Sequence, residues 1–176
     1  MAEDIFDVVD EDNNVVSTAP RSVVHSLGLR HRAVHVVIYS KSEKGRKILL
    51  QKRSASKDLY PNLYTTSCSG HVDSGESYEV AVVREMKEET GLSVNVSELN
   101  ALGITTACKE TGYEFTKVYE FYCNEQTQFD YSKDEVADFE WVEEDVFLKL
   151  IDSHSELFTP SFLYVAKNVC THFKRM

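Results

Sequence analysis

Short runs of β-branched and aromatic residues recur along this chain, and polar, turn-rich segments separate them. Such runs predict β-strands, and the first two flank an Asp- and Asn-rich turn that predicts an N-terminal β-hairpin within residues 1–18. The most apolar run, at 33–39, predicts a buried strand that turns at 41–46 and pairs with the next run. The predicted strands are 5–9, 15–18, 33–39, 48–53, 94–106, 114–123 and 137–142, with a further strand or an extended loop at 60–69.

Other stretches show helical spacing or lack helix breakers. Residues 77–90 contain neither Gly nor Pro and precede Gly91, which predicts a helix that stops at this glycine. Apolar residues at helical spacing predict a C-terminal helix at 160–174, and shorter helices are expected after Pro20 and at 143–151. This order of elements predicts one domain over residues 1–176, of the α+β class or with layered α/β/α architecture.

The predicted helix at 77–90 carries an unusual cluster of acids. Glu85, Glu88 and Glu89 are spaced i, i+3 and i, i+4, so their Cβ atoms lie on one face about 5–6 Å apart. These like charges repel one another, and the single guanidinium of Arg84 is too little to neutralise them all. Mg²⁺ and Mn²⁺ prefer carboxylate oxygens, and Mg²⁺ commonly shares its site with substrate phosphates. The cluster therefore predicts a divalent-metal site.

The stretch at 70–92, GHVDSGESYEVAVVREMKEETGL, resembles the signature of the Nudix hydrolases. The pattern is Gly, five residues, Glu, seven residues, Arg-Glu, an aliphatic residue, any residue, Glu-Glu, any residue, Gly and an aliphatic residue. The matching positions are Gly70, Glu76, Arg84, Glu85, Met86, Glu88, Glu89, Gly91 and Leu92. A solvated helix face is the alternative explanation for the acids, but it requires no glycine at either end.

The resemblance implies a Nudix α/β/α sandwich, with a mixed β-sheet between helices, and metal-dependent hydrolysis of a diphosphate linkage. It assigns Mg²⁺ or Mn²⁺ to Glu85, Glu88 and Glu89, with the backbone carbonyl of Gly70 as a further ligand. Arg84 and Glu76 are expected to brace the helix through a salt bridge. The general base is expected to be Glu88 or Glu89, or else Glu135 from the 133–136 loop. The alternative interpretation of Glu135 is a solvated acid in a turn.

A second set of residues is similar to type 1 isopentenyl diphosphate isomerases and their hydrolase relatives within the same superfamily. That resemblance assigns diphosphate binding to Arg53 and Lys57, which are chemically suited to phosphate, although two solvated loop cations are the alternative. It also matches His31 and His71 to metal-site histidines of the isomerases, and His25 lies near the position of a third such histidine. The alternative for each is a structural hydrogen-bonding role.

The match to the isomerases fails at their cysteine, which directly precedes the motif glycine. This chain has Ser69 there, and Cys68, one residue earlier, is expected to face the opposite side of an extended segment. The isomerases also use a glutamate from a later strand, for which the sequence offers Glu114 or Glu120. Hydrolysis of nucleoside diphosphates or their derivatives is therefore ranked first. The alternatives are isopentenyl diphosphate isomerisation and a non-catalytic nucleotide-binding domain.

The composition limits the kinds of partner that can be expected. A formal net charge of −10 without a basic block disfavours a nucleic-acid partner, so a small diphosphate is the expected substrate. The acidic N-terminus does not resemble a signal peptide, and no apolar run reaches membrane-spanning length. The four cysteines lack paired metal spacing, which favours reduced thiols and a cytoplasmic location. A homodimer is the default hypothesis for the oligomeric state, because it is the commonest assembly.

Overall fold

The computed structural model describes residues 3–170 and contains nine strands and four α-helices in that range. The strands are β1 (Ile5–Val9), β2 (Val15–Pro20), β3 (His31–Ser42), β4 (Gly45–Arg53), β5 (Tyr64–Thr65), β6 (Cys68–His71), β7 (Asn100–Ile104), β8 (Glu114–Tyr122) and β9 (Val136–Glu143). The helices are α1 (Arg21–Leu27), α2 (Tyr78–Thr90), α3 (Glu144–Ser153) and α4 (Pro160–Asn168).

Seven strands form one mixed sheet in the order β5-β4-β3-β8-β7, with β6 also paired to β3 and β9 to β4. Strands β3 and β8 run parallel, whereas the other pairs are antiparallel. The long strand β3 changes partner along its length: Ala33–Val36 pair with β6, and Tyr39–Ser42 pair with β4. Strand β6, which contains the motif glycine, therefore lies beside the first half of β3.

Both faces of the sheet are covered by helices. On β3, Val34, Val36 and Ile38 pack in the cluster that includes Ala81, Val82 and Met86 of α2. The intervening residues Val37 and Tyr39 pack on the other side, in a cluster with Phe147 of α3 and Phe162 of α4. Because alternate side chains of a strand point to opposite faces, this arrangement confirms an α+β sandwich with a mixed sheet between helices.

The N-terminal strands β1 and β2 form a separate two-stranded sheet that packs on the main domain. Phe6 and Val8 from β1 share a small core with Val24 of α1. The Asp7 carboxylate accepts hydrogen bonds from the Ser74 hydroxyl (2.7 Å) and the Gly75 amide (3.2 Å). These bonds tie the hairpin to the loop that enters α2.

The structure differs from the sequence-based expectations in two segments. The strand expected at 94–106 is reduced to β7, because a capping box between Asn95 and Glu98 closes a short 3₁₀ helix ahead of it. The C-terminal helix ends at Asn168, where the Val169 and Cys170 amides both turn back to the Val165 carbonyl. Residues 171–174 of the expected helix lie outside the described range.

Candidate active site

Helix α2 presents the acidic cluster, and local interactions define both of its ends. The Ser77 side chain caps the N-terminus by accepting from the Val80 amide at 3.3 Å. Gly91 ends the helix in the left-handed region with φ 77°, and a Cβ there would lie 2.7 Å from Asp130 Cβ. Both a positive φ and a close neighbour therefore require glycine at this position. The apolar face of α2 packs on the sheet, which brings Glu85 and Glu89 to strand β6.

The Glu85 carboxyl lies against Gly70. A Cβ added to Gly70 would meet Glu85 Cδ at 1.9 Å and its two carboxylate oxygens at 2.1 and 2.3 Å. No side chain larger than hydrogen fits without moving Glu85. The motif glycine therefore makes room for the carboxyl group of the first motif glutamate, and it places the Gly70 backbone beside that group.

Glu89 is held by two donors on one of its oxygens. The Ser69 amide and Gln51 Nε2 both donate to Glu89 Oε2, at 2.8 and 3.1 Å respectively. The Oε1 atom of Glu89 receives neither of these bonds. Glu88, by contrast, is an exposed residue whose side chain is 59% accessible. The two carboxylates thus differ in exposure while lying next to each other on the helix.

Arg84 donates hydrogen bonds to three acids. It donates from Nε and Nη2 to the two oxygens of Glu76, at 3.1 and 2.9 Å, and from Nη2 to the His71 carbonyl at 2.9 Å. Its Nη1 also donates to Glu85 at 2.7 Å and to Glu88 at 3.2 Å. The bidentate bond with Glu76 joins α2 to the loop before it.

The acidic cluster retains negative charge that a divalent cation can neutralise. Burial raises the pKa of Glu85 to about 8, and the neighbouring Glu89 charge adds to this rise despite the opposing effect of Arg84. Burial also raises the pKa of Glu89 above its usual range. Carboxyl groups shifted in this way lack enough positive charge around them. The donor set of Glu85, Glu88 and Glu89 is all oxygen, which suits Mg²⁺ or Mn²⁺.

The two cations expected to bind phosphate are Arg53, the last residue of β4, and Lys57, on the loop that follows, and both have partners within the protein. Arg53 donates from Nη2 and Nε to the Leu59 carbonyl, at 2.8 and 3.1 Å. Lys57 forms an ion pair with Glu135, the candidate base outside the motif. Burial lowers the pKa of Arg53, whereas the charges of Glu89 and Glu135 raise it. Arg53, Lys57 and Glu135 thus lie within electrostatic range of the acidic cluster.

A second candidate metal site is formed by three histidines. One ring nitrogen from each of His25, His31 and His71 lies within 4.8 Å of the others. Glu114 adds a carboxylate, since its Oε1 lies 3.1 Å from His71 Nε2 and 3.6 Å from His31 Nε2. The Phe6 ring stacks on His71, with centroids 4.7 Å apart, and closes the cluster.

The ring nitrogens of the histidine cluster are suited to bind a metal ion. His25 Nε2 and His31 Nε2 are buried and have no hydrogen-bond partner among residues 3–170. His31 Nδ1 donates to the Leu29 carbonyl at 2.9 Å, so Nε2 remains to bind a metal. Burial lowers the pKa of His25 to about 4, which keeps its imidazole neutral. Three imidazoles and one carboxylate are a suitable donor set for Zn²⁺ or Mn²⁺.

The structure agrees with one expectation from the sequence and decides one choice that the sequence left open. Cys68 is fully buried in the cluster under α2, and Ser69 is paired with His35 on β3, so the two side chains face opposite sides of the sheet. Glu114, and not Glu120, belongs to the histidine cluster, because Glu120 accepts instead from Asn100 Nδ2 at 2.8 Å.

Sequence reasoning did not identify Gln51, the Ser69 amide or Phe6 as parts of these sites. Gln51 was a usable signal, because alternation from Leu49 places it on a buried face of the predicted strand, where an amide needs a partner. A backbone amide and a phenylalanine carry no such signal, so only the folded arrangement shows their contacts.

Comparison with known proteins agrees with this arrangement. The sequence model of the NUDIX domain matches residues 29–162. The chain belongs to the Nudix family. It is similar to an uncharacterized Nudix hydrolase of Clostridium acetobutylicum, with 32% identity over 87% of this chain and 76% of the relative. It is also similar to an isopentenyl-diphosphate Delta-isomerase of Aliivibrio fischeri, with 30% identity over 96% of each.

Among solved structures, this Nudix chain is similar to DR0079 from Deinococcus radiodurans. The TM-score is 0.77 at 26% identity, over 94% of this chain and 98% of the other. The matched domain and the hydrolase relatives support an enzyme that acts on pyrophosphate bonds. None of the helices within residues 3–170 combines the length and apolar character needed to cross a bilayer.

Proposed function

We propose that this Nudix protein hydrolyses a diphosphate linkage in nucleoside diphosphates or their derivatives, with Mg²⁺ or Mn²⁺ as cofactor. The observation that carries the proposal is the arrangement of three carboxylates around strand β6. Glu85 lies against Gly70, Glu89 is fixed through one oxygen, and Glu88 remains exposed beside them. The raised pKa values of Glu85 and Glu89 indicate that this group of acids gains from a bound cation.

Each residue has a defined part in the proposed reaction. Glu85, Glu88 and Glu89 would hold the metal, and Arg53 and Lys57 would bind the diphosphate through charge-assisted hydrogen bonds. When bound, a divalent ion neutralises phosphate charge and lowers the pKa of a coordinated water. Glu135 accepts the proton of the attacking water, for which its ion pair with Lys57 must open. Arg84 keeps α2 in place through its bidentate bond with Glu76.

The histidine cluster favours isopentenyl diphosphate isomerisation as the second candidate function. His25, His31, His71 and Glu114 can hold the metal that the resemblance to isomerases implies. Two observations on the cysteine favour hydrolysis. Ser69 occupies the position of the isomerase cysteine, and its alcohol is a far weaker acid than a thiol. Cys68 faces the core under α2, where burial raises the pKa of its thiol well above the usual value.

The test measures product release by the purified protein with Mg²⁺ or Mn²⁺, across nucleoside diphosphates, nucleotide sugars, dinucleotides and isopentenyl diphosphate. Glu88→Gln and Glu89→Gln each remove one ligand charge without changing side-chain size, and we expect both to abolish turnover. Glu43→Gln is the matched control, since Glu43 is exposed in the turn between β3 and β4.

The outcomes separate the three functions. Turnover that survives in Glu43→Gln but is lost in the two motif variants supports a metal-dependent hydrolase. Deuterium exchange into isopentenyl diphosphate, without hydrolysis, would instead establish the isomerase. Nucleotide binding that depends on metal, with no turnover of any substrate in the panel, would support the non-catalytic domain.

A further inference from the structure

Gln51 is a buried polar side chain at a position where the strand pattern calls for an apolar one. On β4, Ile48 and Leu50 pack on the side of α3 and α4, and Leu49 packs on the side of α2. Alternation therefore places Gln51 on the α2 face together with Leu49. Gln51 is only 2% exposed. A buried amide without a partner is costly, so the position calls for a specific contact.

That contact is Glu89. A carboxylate only accepts hydrogen bonds, so the 3.1 Å contact assigns the amide nitrogen of Gln51, and not its oxygen, to Glu89 Oε2. The Ser69 amide donates to the same oxygen at 2.8 Å. Two donors from two different strands thus fix the carboxylate plane and leave Oε1 for another ligand.

The absence of charge on Gln51 matters as much as its position. Arg84 donates to Glu76, Glu85 and Glu88, but none of the contacts described for residues 3–170 joins it to Glu89. Lysine or arginine at position 51 would compete with a cation for Glu89. A neutral amide orients the Glu89 carboxylate and leaves most of the carboxylate's charge available to a metal ion.

We propose that Gln51 is a positioning residue for metal binding, which holds Glu89 so that Oε1 faces the divalent ion. This inference rests on the proposed function, because it assigns Glu89 as a metal ligand. Gln51 does not touch the substrate or the ion; it acts through Glu89. Hydrogen bonds from neighbouring groups to metal ligands commonly change metal affinity by about 10–100-fold.

The experiment titrates Mn²⁺ into the full chain without substrate and follows free Mn²⁺ by electron paramagnetic resonance. Gln51→Met keeps the length of the side chain but removes the donor. We expect a rise of about tenfold in the dissociation constant of the Mn²⁺ ion whose binding Glu89→Gln removes, which separates this ion from any bound by the histidine cluster. Thr65→Val is the matched control. Thr65 lies opposite Gln51 on β5 and is also 2% exposed. Thr65→Val removes a buried hydrogen bond from Thr159, and none of the hydrogen bonds described for residues 3–170 joins Thr65 to Glu89. We expect it to bind Mn²⁺ as the wild type does.

A double-mutant cycle separates positioning from a general loss of structure. If Gln51 acts through Glu89, then Gln51→Met has no further effect on Mn²⁺ affinity once Glu89→Gln is present. An equal loss in both backgrounds would overturn the inference, as would wild-type affinity in Gln51→Met. In turnover assays we expect excess Mn²⁺ to restore the activity of Gln51→Met, with little change in the KM for substrate.

The inference and the proposed function fail in different ways. Wild-type Mn²⁺ binding by Gln51→Met, together with hydrolysis by the wild type, rejects only the role of Gln51. A wild type that binds Mn²⁺ through Glu89 but hydrolyses nothing rejects the proposed hydrolysis and leaves the positioning role standing. A wild type that binds no Mn²⁺ rejects both.

Discussion

Lys57 and Glu135 form an ion pair that joins the loop after β4 to the segment before β9. The pair links a residue proposed to bind phosphate with the residue proposed to accept a proton from water. If both roles hold, we expect a diphosphate that binds Lys57 to replace Glu135 as the partner of the ammonium group, which would free the carboxylate to act as a base. Substrate binding would then be coupled to activation of the base.

Glu135→Gln should lower kcat more than it changes KM. The amide retains the shape of the side chain but accepts no proton, and loss of a general base commonly lowers the rate by about 10²–10⁴-fold. Steady-state kinetics on the nucleotide substrate, with saturating metal, provides the measurement. Lys57→Met is the companion variant, and we expect it mainly to raise KM. An unchanged kcat in Glu135→Gln would assign the base to the motif glutamates instead.

Gly70→Ala should abolish metal-dependent activity while the protein remains folded. The added Cβ would lie 1.9 Å from Glu85 Cδ, so the carboxyl group must move away from β6. Activity and Mn²⁺ affinity are measured side by side, with circular dichroism as the check of folding. Gly45→Ala is the control for a glycine substitution away from Glu85: a Cβ there meets no atom within 4 Å, and the backbone strain at φ 133° should lower Tm without abolishing activity. Full activity in Gly70→Ala would show that Glu85 need not occupy its observed position.

The contribution of Glu85 to the stability of the metal-free protein should fall as pH rises. Its pKa is raised from 4.5 to about 8, so the folded state holds a proton that the unfolded state has released between these values. The contribution of Glu85 to the free energy of unfolding therefore falls as pH rises through this range. Glu85→Gln removes the ionisation, and we expect its Tm to exceed that of the wild type at pH 9 but not at pH 4.

The size of the expected Tm difference between Glu85→Gln and the wild type depends on the length of the chain. A change of about 1 kcal/mol shifts Tm by about 2–4 °C in a protein of this length, so a shift of a few degrees is expected at pH 9. Thermal melts in chelator at a series of pH values measure it, with Glu43→Gln as the control. A Tm difference that is equally large at pH 4 would show that altered packing, and not ionisation, is responsible.

The histidine cluster should bind Co²⁺ or Zn²⁺ independently of the acidic cluster. In a Glu89→Gln background, Co²⁺ should still produce the visible absorption of a nitrogen-ligated ion. His25→Ala should remove this absorption, because His25 Nε2 is one of the cluster's buried and unpartnered atoms. His154→Ala is the control, since His154 is exposed and lies outside the cluster. Absorption that persists in His25→Ala would exclude His25 as a ligand.

Sequence alone was sufficient for features that depend on short-range spacing. Glu85, Glu88 and Glu89 share a face because α-helical geometry determines where neighbouring residues point, and the structure retains that relationship. Alternation along a strand likewise predicted that Cys68 and Ser69 face opposite sides. The sandwich of sheet and helices was predicted from the resemblance of the segment 70–92, which includes both the helical acids and the motif glycine.

The tertiary structure decided every relationship between residues distant in the chain. Pairing of β3 with β6 and β8 brings His31, His71 and Glu114 together, and it excludes Glu120. The packing of α2 on the sheet gives Glu89 its contact with Gln51, across 38 positions of sequence. Local spacing carries no information on such contacts, because they depend on strand order and on helix packing. The sequence therefore determined which chemical groups are present, and the fold determined which of them meet.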